Sequence, residues 1–285
     1  MIIADNDYKP DNVLFECQPF VHHIYHRSKD QICDHCLAKS DDLKQCSGCK
    51  HMYYCNENCQ RRDWRAGHRY ECQIFKSHYK KLLDEDNLAI PLLRLYLIIK
   101  ADPQIVDKKY ETIGGQQQRC FADLMSHCDD IMRDRFKVSV IYDIHKRISS
   151  CGLDLTVDDL VDLFGKFIIN SYFIFYTDII DQSSHTCGAG LFIGASVLDH
   201  SCAYNVYIQS AGNKLQVIAG QHITAGDELT TFYVNPSLPT VTRRMLLKSG
   251  YYFDCHCCRC DAIDDNDSDI TVDLLTKPLL PLNIT

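Results

Sequence analysis

The stretch from residue 33 to residue 72 decides how this chain folds, and it reads CDHCLAKSDDLKQCSGCKHMYYCNENCQRRDWRAGHRYEC. Its seven cysteines and His68 fall into four pairs. Two pairs, Cys33/Cys36 and Cys46/Cys49, are separated by two residues, and two pairs, Cys55/Cys59 and His68/Cys72, by three. Thiolate and imidazole groups are the usual ligands of tetrahedral zinc. Eight such ligands within forty residues predict two zinc ions.

The alternating order of the pairs predicts that the two zinc sites are interleaved. The first site takes Cys33, Cys36, Cys55 and Cys59, and the second takes Cys46, Cys49, His68 and Cys72. Each three-residue spacing places two ligands on one face of a helical turn. A segment this short cannot bury a sizeable core, so the metal must stabilise it. The alternative is a disulfide-bonded knot.

The composition bounds the remaining possibilities. The chain has 285 residues, 46% of them hydrophobic, and 17 cysteines. There is no signal peptide or long apolar run, since the stretch around residues 92–99 is interrupted by Arg94. We therefore expect reduced, metal-binding cysteines and a non-membrane protein of the nucleus or cytoplasm. The net charge of -8 argues against strong nucleic-acid binding and favours a basic peptide partner.

The periodicity of the chain changes twice. Residues 1–7 are polar and expected to be loose, although residues 1–4 are also a possible short strand that lacks the glycines needed for close approach to a ligand. Residues 13–15 and 21–25 read as strands. Residues 73–169 are mostly helical, with Thr156 as a helix cap. After residue 170 the pattern becomes that of strands, including a predicted hairpin of residues 204–208 and 214–218. A helix over 121–128 and a strand over 228–234 are also expected.

A second cysteine cluster, Cys255-x-Cys257-x2-Cys260, supplies three ligands for a four-coordinate ion. The fourth must come from elsewhere in the chain. Cys202 is the candidate, which gives a third zinc site.

The 33–72 stretch resembles the MYND zinc finger, including Tyr53-Tyr54 and the run from Gln60 to Trp64. This resemblance implies an interaction module that binds short proline-containing peptides. Trp64, the only tryptophan, has two interpretations. It either packs beneath the zinc turn or forms part of a peptide groove.

The second half resembles the end of a SET domain. The motifs are GLF at 190–192, LDHSC at 198–202, GDEL at 226–229 followed by Tyr233, and YxFxCxCxxC at 251–260. A SET domain combined with a MYND finger is similar to the SMYD family of protein-lysine methyltransferases. The resemblance implies an α+β fold, in which the SET β-fold is split by the finger and a helical insert and is followed by a zinc-binding post-SET segment. The implied units are N-terminal SET strands at 1–32, the finger at 33–72, the insert at 73–169, the SET core at 170–248, the post-SET segment at 249–260 and an acidic tail at 261–285.

The resemblance also assigns roles to single residues. Tyr233 and Tyr251 line the methyl-transfer pore and the channel for the lysine side chain, and Phe253 packs on the adenine ring of S-adenosylmethionine. The other implied cofactor contacts are Asn170, Asp199, His200 and His127. The implied partner is a lysine-containing protein, histone tails among the possibilities.

Three departures from the family leave a second class of function open. The Gly-x-Gly-Leu strand that begins the family has no counterpart, Asp199 replaces an asparagine, and the long helical C-terminal domain is absent. The sequence therefore predicts either a methyltransferase with three zinc ions or an inactive SET/MYND adaptor that binds proteins. A purely structural zinc scaffold is a third possibility.

Overall fold

The computed structural model describes residues 1–84, 87–115, 117–177 and 184–262. The predicted acidic tail lies outside the described residues except for Asp261 and Ala262. In the described part of the chain, none of the helices combines the length and the apolar character needed to cross a membrane.

Strands and helices alternate irregularly along the chain, as expected for an α+β fold. The strands are β1 (Val13–Cys17), β2 (Val21–Ile24), β3 (Lys44–Gln45), β4 (Tyr53–Tyr54), β5 (Tyr110–Glu111), β6 (Gln118–Arg119), β7 (Ser171–Thr177), β8 (Ser184–Leu191), β9 (Asp199–His200), β10 (Val206–Ala211), β11 (Lys214–Ala219) and β12 (Thr230–Thr231). The helices are α1 (Glu57–Asp63), α2 (Arg69–Leu82), α3 (Ala89–Ala101), α4 (Cys128–Arg133), α5 (Arg135–Ser149), α6 (Val157–Asn170), α7 (Thr240–Tyr251) and α8 (Cys258–Asp261).

Small sheets form the second half of the fold and recruit the strands that precede the finger. One antiparallel sheet has the order β1-β11-β10, and another has the order β2-β8-β7. A short parallel pair joins β9 to β12. The predicted hairpin corresponds to β10 and β11, with Gly212 in the left-handed region (φ 59°) at its turn. The two strands that precede the finger therefore pair with strands more than 150 residues further along the chain.

Helices α3 and α6 lie at the centre of the larger core. Thr156 caps α6 by accepting a 3.1 Å hydrogen bond from the Asp159 amide, and the apolar face of the helix is buried. The same core contains Tyr54 and Phe75, which flank the zinc ligands, and Leu191 at the end of β8. The finger is thus packed into the body of the protein.

The N-terminal residues pair like the short strand that is the alternative for residues 1–4 and are not loose. Ile2 and Ala4 are buried while Ile3 is partly exposed, which is the alternation of a strand. The Leu229 amide donates to the Ile2 carbonyl at 2.8 Å, and the Ala4 amide donates to the Asp227 carbonyl at 2.8 Å. This pairing covers the edge formed by residues 227–229, so residues 1–4 occupy a place where the sequence predicts an exposed edge.

Two local predictions also need correction. Only Thr230–Thr231 forms a strand within 228–234, because the Leu229 amide bonds to Ile2 and the Tyr233 amide bonds to the side chain of His200. The expected helix over 121–128 is a 3-10 turn at Phe121–Asp123 that is separated from α4 by His127. His127 has φ 52°, which a continuous helix cannot accommodate.

Candidate metal centres and cofactor cavity

All twelve predicted zinc ligands come together in three groups of four, in the predicted sets. Within each group the ligand atoms lie within 4.8 Å of one another. The Sγ atoms of Cys36 and Cys55 are 3.5 Å apart, and those of Cys46 and Cys72 are 3.8 Å apart. A tetrahedron with Zn–S bonds of about 2.3 Å requires about 3.8 Å between sulfur atoms. The geometry and the donor types of all three groups fit zinc.

The buried carboxylate of Glu71 orients the histidine of the second group. His68 Nε2 faces the Sγ atoms of Cys46 and Cys49 at 3.4 and 3.6 Å, while Nδ1 lies 3.1 Å from Glu71 Oε1. Arg94 Nε donates to both carboxylate oxygens of Glu71 at 3.0 Å. A carboxylate that accepts from Nδ1 fixes the imidazole with Nε2 free to bind metal.

Arg94 links this group to the rest of the fold. It lies on α3 and is 6% exposed. Its Nη1 atom is 3.4 Å from the backbone carbonyl of His22 on β2 and 3.4 Å from Asp63 Oδ1. This buried charge within a mostly apolar helix therefore ties the finger to both the insert and the sheet.

The third group forms as the sequence predicts. Cys202 Sγ lies 3.5 Å from Cys260 Sγ, and Cys255 and Cys257 complete the set. The buried Arg243 on α7 donates through Nε to Cys202 Sγ at 3.2 Å. A cation beside the sulfur atoms stabilises their thiolate form, which is the form that binds metal.

A cavity of about 1170 Å³ opens beside this third group. It is lined by every residue predicted to contact the cofactor or the reacting groups: Tyr233, Tyr251, Phe253, Asn170, Asp199, His200 and His127. Leu37 and Ala38 of the finger, and Phe175 and Tyr176 of β7, line it as well. The rings of His200, Tyr233, Tyr251 and Phe253 pack in a chain, with neighbouring centroids 4.8 to 5.9 Å apart.

The loop that leads into Asp199 is held by three side chains from different elements. Tyr172 donates to the Ala195 carbonyl at 3.0 Å, and Tyr233 donates to the Leu198 carbonyl at 2.6 Å. Arg119 Nη1 donates to the carbonyl and hydroxyl of Ser196. This bracing fixes Asp199 and His200 at the wall of the cavity.

His200 is oriented from both sides. Its Nδ1 accepts the Tyr233 amide at 2.9 Å, which places the ring hydrogen on Nε2, 3.3 Å from Cys202 Sγ. Burial lowers the pKa of His200 to about 4, so the imidazole is neutral at pH 7. The third metal group and the cavity wall are thereby joined through one side chain.

Asn170 and His127 both line the cavity, and Asn170 holds the segment that precedes His127. The Asn170 amide donates to the Met125 carbonyl at 2.9 Å and to the Lys166 carbonyl at 2.8 Å, so its nitrogen serves the fold. A Cβ added to Gly165 of α6 would lie 1.9 Å from the Ser126 carbonyl oxygen. The helix therefore needs glycine where it supports the segment that leads into His127.

The two tyrosines at the centre of the cavity are neutral phenols. Burial raises the pKa of Tyr233 and of Tyr251 above the ordinary value of 10.0. The Tyr251 hydroxyl lies 3.4 Å from the Tyr233 carbonyl. Because the proton of Tyr233 is directed at Leu198, its oxygen presents lone pairs to the cavity.

Five residues that support the metal ligands or the cavity wall were not predicted from the sequence. They are Glu71, Arg94, Arg119, Tyr172 and Arg243. Arg94 had a signal, since it interrupts an apolar run, and Glu71 precedes a metal ligand. Nothing in the sequence distinguishes the other three from ordinary surface or strand residues, because their partners are distant in sequence.

Comparison with known proteins agrees with this arrangement. The MYND finger family matches residues 33–72. The chain is 28% identical over 92% of its length to the mouse histone-lysine N-methyltransferase SMYD3, of which it covers 59%. It is 26% identical over 96% of its length to N-lysine methyltransferase SMYD2-A of Xenopus laevis, covering 61% of that protein. It is 27% identical over 91% of its length to the Arabidopsis thaliana histone-lysine N-methyltransferase ASHR1, covering 52% of that protein.

The fold, the finger and the three cysteine-rich groups define an α+β protein of the SET and MYND class, which confirms the predicted fold class. Over most of its length the chain is similar to lysine methyltransferases of the SMYD family, and residues 33–72 match the MYND finger. The chain spans between about half and three fifths of the length of these relatives.

Proposed function

We propose that this chain is a protein-lysine N-methyltransferase that uses S-adenosylmethionine and carries three structural zinc ions. The observation that carries the proposal is the single cavity that joins the cofactor-type residues to Tyr233 and Tyr251. Its volume of about 1170 Å³ leaves room for a nucleoside cofactor beside a lysine side chain. Its mixture of aromatic walls and a few convergent polar groups is typical of such sites.

S-adenosylmethionine supplies an electrophilic methyl group when it is bound. Phe253 offers an aromatic face for its adenine ring, and Asp199 offers a carboxylate for its ammonium group. The remaining polar wall consists of Asn170, His127 and His200. The side-chain nitrogen of Asn170 makes both of its hydrogen bonds to the fold, so its side-chain oxygen is available to the cofactor.

Tyr233 and Tyr251 serve the incoming amine. Tyr251 provides an apolar wall for the alkyl stem of lysine, and its ring lies 4.8 Å from that of Tyr233. The lone pairs of Tyr233 accept hydrogen bonds from the amine and weak C–H···O contacts from the methyl group. Aromatic packing around both hydroxyls excludes water and so favours a neutral, nucleophilic amine.

The first experiment is a methyl-transfer assay of the zinc-loaded chain. Tritiated S-adenosylmethionine is combined with core histones and with a panel of lysine peptides. We expect lysine-linked label that Phe253→Ala reduces through weaker cofactor binding. Calorimetric binding of S-adenosylmethionine without transfer to any protein would favour a cofactor-binding adaptor, whereas absence of binding would overturn the enzyme proposal.

A peptide-binding role for the finger has separate support. Trp64 is 44% exposed and lies edge-on to His68, with ring centroids 5.9 Å apart. It is therefore a surface residue beside the second metal group, as the groove interpretation requires. A proline-containing peptide would bind there by stacking on the indole, and Trp64→Ala should abolish binding while leaving methyl transfer to short peptides unchanged.

Histone tails and other basic proteins are the proposed substrates, because the chain has a net charge of -8. The nucleus and the cytoplasm are the proposed locations. Fractionation of cells that express the tagged protein tests this assignment.

A further inference from the structure

Arg119 is a cation of the cavity wall without a carboxylate partner. It lies at the end of β6 and lines the cavity together with Asp199 and Tyr233. Burial lowers its pKa, which shows that its surroundings resist the charge. A guanidinium stays protonated nevertheless, so the wall carries a positive charge at neutral pH.

The protein satisfies only part of this guanidinium. Nη1 donates to the carbonyl and hydroxyl oxygens of Ser196, and Nη2 lies 3.3 Å from the carbonyl oxygen of Asp123. All of these acceptors are uncharged. Within the described ranges of the chain, no carboxylate forms a salt bridge with Arg119, and its Nε–H donates to no acceptor.

Asp123 and Asp199 influence Arg119 electrostatically, but neither forms a salt bridge with it within the described residues. Asp123 accepts the Cys120 amide at 2.8 Å and pairs with Lys109 at 3.2 Å. Both carboxylates act on Arg119 only at longer range. A partly buried cation without a counter-ion is costly, and an anionic ligand removes that cost.

We infer that Arg119 binds the α-carboxylate of the amino-acid end of the cofactor, while Asp199, which lines the same cavity, binds the α-ammonium. This inference rests on the proposed function and identifies a binding residue that the function did not use. An α-amino acid is a zwitterion, and a guanidinium and a carboxylate on one wall match its two charges. The bonds to Ser196 hold the guanidinium in place before the ligand arrives, which lowers the entropic cost of binding.

The test compares S-adenosylmethionine with decarboxylated S-adenosylmethionine, which keeps the nucleoside, sulfonium and amine but lacks the carboxylate. Calorimetric titration of the zinc-loaded chain is repeated with Arg119→Met and Arg119→Lys. A lost charge-assisted hydrogen bond predicts that Arg119→Met weakens S-adenosylmethionine by about tenfold or more. Its affinity for the decarboxylated compound should change by less than about twofold on the same argument, and Arg119→Lys should fall between.

Lys109→Met is the matched control, because it removes a nearby exposed cation that does not line the cavity. It should leave both affinities unchanged. Equal weakening of both compounds by Arg119→Met would overturn the inference and assign Arg119 to support of the Ser196 loop. Unchanged binding of S-adenosylmethionine would also overturn it. If the wild-type chain binds neither compound, the cofactor proposal itself fails, which the wild-type titration alone reveals.

Discussion

The hydroxyl of Tyr233 donates a 2.6 Å hydrogen bond to the carbonyl oxygen of Leu198, the residue that precedes Asp199. One phenol therefore braces the loop that positions the cofactor wall and also presents acceptor lone pairs to the cavity. The proton that could otherwise be offered to the lysine amine is already committed. This arrangement suits a site that must accept from a neutral amine rather than protonate it.

Tyr233→Phe should reduce methyl transfer by a factor on the order of 10², because a preorganised polar contact at the reacting centre is lost. The affinity for S-adenosylmethionine should fall much less, since Asp199 retains two other braces. Single-turnover rates and calorimetric affinities for the same variant separate the two effects.

Tyr172→Phe is the comparison variant. It removes a hydrogen bond that holds the same loop, the 3.0 Å bond to the Ala195 carbonyl. The hydroxyl of Tyr233, which is proposed to contact the amine, is retained. Its effect on the rate should be smaller than that of Tyr233→Phe. Equal loss of rate in both variants would mean that Tyr233 acts through the loop alone.

The metal ligands and the helices were predictable because their signals are local. Ligand spacing alone separates the first two metal groups, and a cap followed by apolar periodicity predicts α6. The partners of Arg94 and Arg119 could not be predicted, since both residues act on atoms brought close only by the tertiary fold. The burial of Ile2 depends likewise on residues 227–229, at the other end of the described chain.

Gly165→Ala should displace the segment that leads into His127, one of the residues that line the cofactor cavity. The added methyl group would meet the Ser126 carbonyl at 1.9 Å, so the segment before His127 must move. We expect a loss of roughly 1 to 3 kcal/mol in the free energy of unfolding, as for other overpacked cores, together with weaker cofactor binding. Urea unfolding and calorimetry measure both quantities.

Gly220→Ala is a suitable control for this substitution. Its added methyl group would lie 3.4 Å from the nearest atom, the Asn205 carbonyl oxygen, which is an ordinary contact. Stability and cofactor affinity should both be preserved. If Gly165→Ala is tolerated equally well, the close approach of α6 does not position His127.

Tyr79→Phe should stabilise the protein. The Tyr79 side chain is 2% exposed, and its hydroxyl has no hydrogen-bond partner in the described part of the chain. Removing a buried unsatisfied hydroxyl should raise the free energy of unfolding by about 1 kcal/mol. By contrast, Tyr54→Phe should destabilise, because the Tyr54 hydroxyl donates to buried Asp63 at 2.6 Å.

The benefit of Tyr79→Phe should grow at alkaline pH. Burial raises the pKa of Tyr79 above 10.0, so the unfolded chain loses this proton at a lower pH than the folded protein does. The free energy of unfolding of the wild type is therefore unaffected by this group below pH 10 and falls as the pH rises further, whereas Tyr79→Phe has no such loss. Urea unfolding at pH 7, 9 and 10.5 should show a widening difference between variant and wild type. A constant difference would place the hydroxyl in contact with solvent.

Glu71→Gln should weaken the second metal group while sparing the other two. The Arg94 guanidinium and His68 hold the pKa of Glu71 well below its ordinary range despite complete burial. The amide removes the closer of the two carboxylates that pair with Arg94 and leaves Asp63 at 3.4 Å, which should cost about 3 kcal/mol of stability. It also replaces the charged acceptor that orients His68 with a weaker, neutral amide oxygen, and losses at such a partner weaken metal binding about 10- to 100-fold. Zinc retention against a chelator should show one ion of three released early.

The exposed pair of Glu57 and Arg61 supplies the control, since Glu57→Gln removes the same charge without touching the metal group. It should leave both stability and zinc retention close to wild type. Because Arg94 also contacts the His22 carbonyl on β2, the lost ion pair should be felt beyond the finger. Cofactor affinity should therefore fall in Glu71→Gln as the second zinc is released. Unchanged affinity after complete release of that zinc would show that the finger and the cavity are energetically independent despite their shared core.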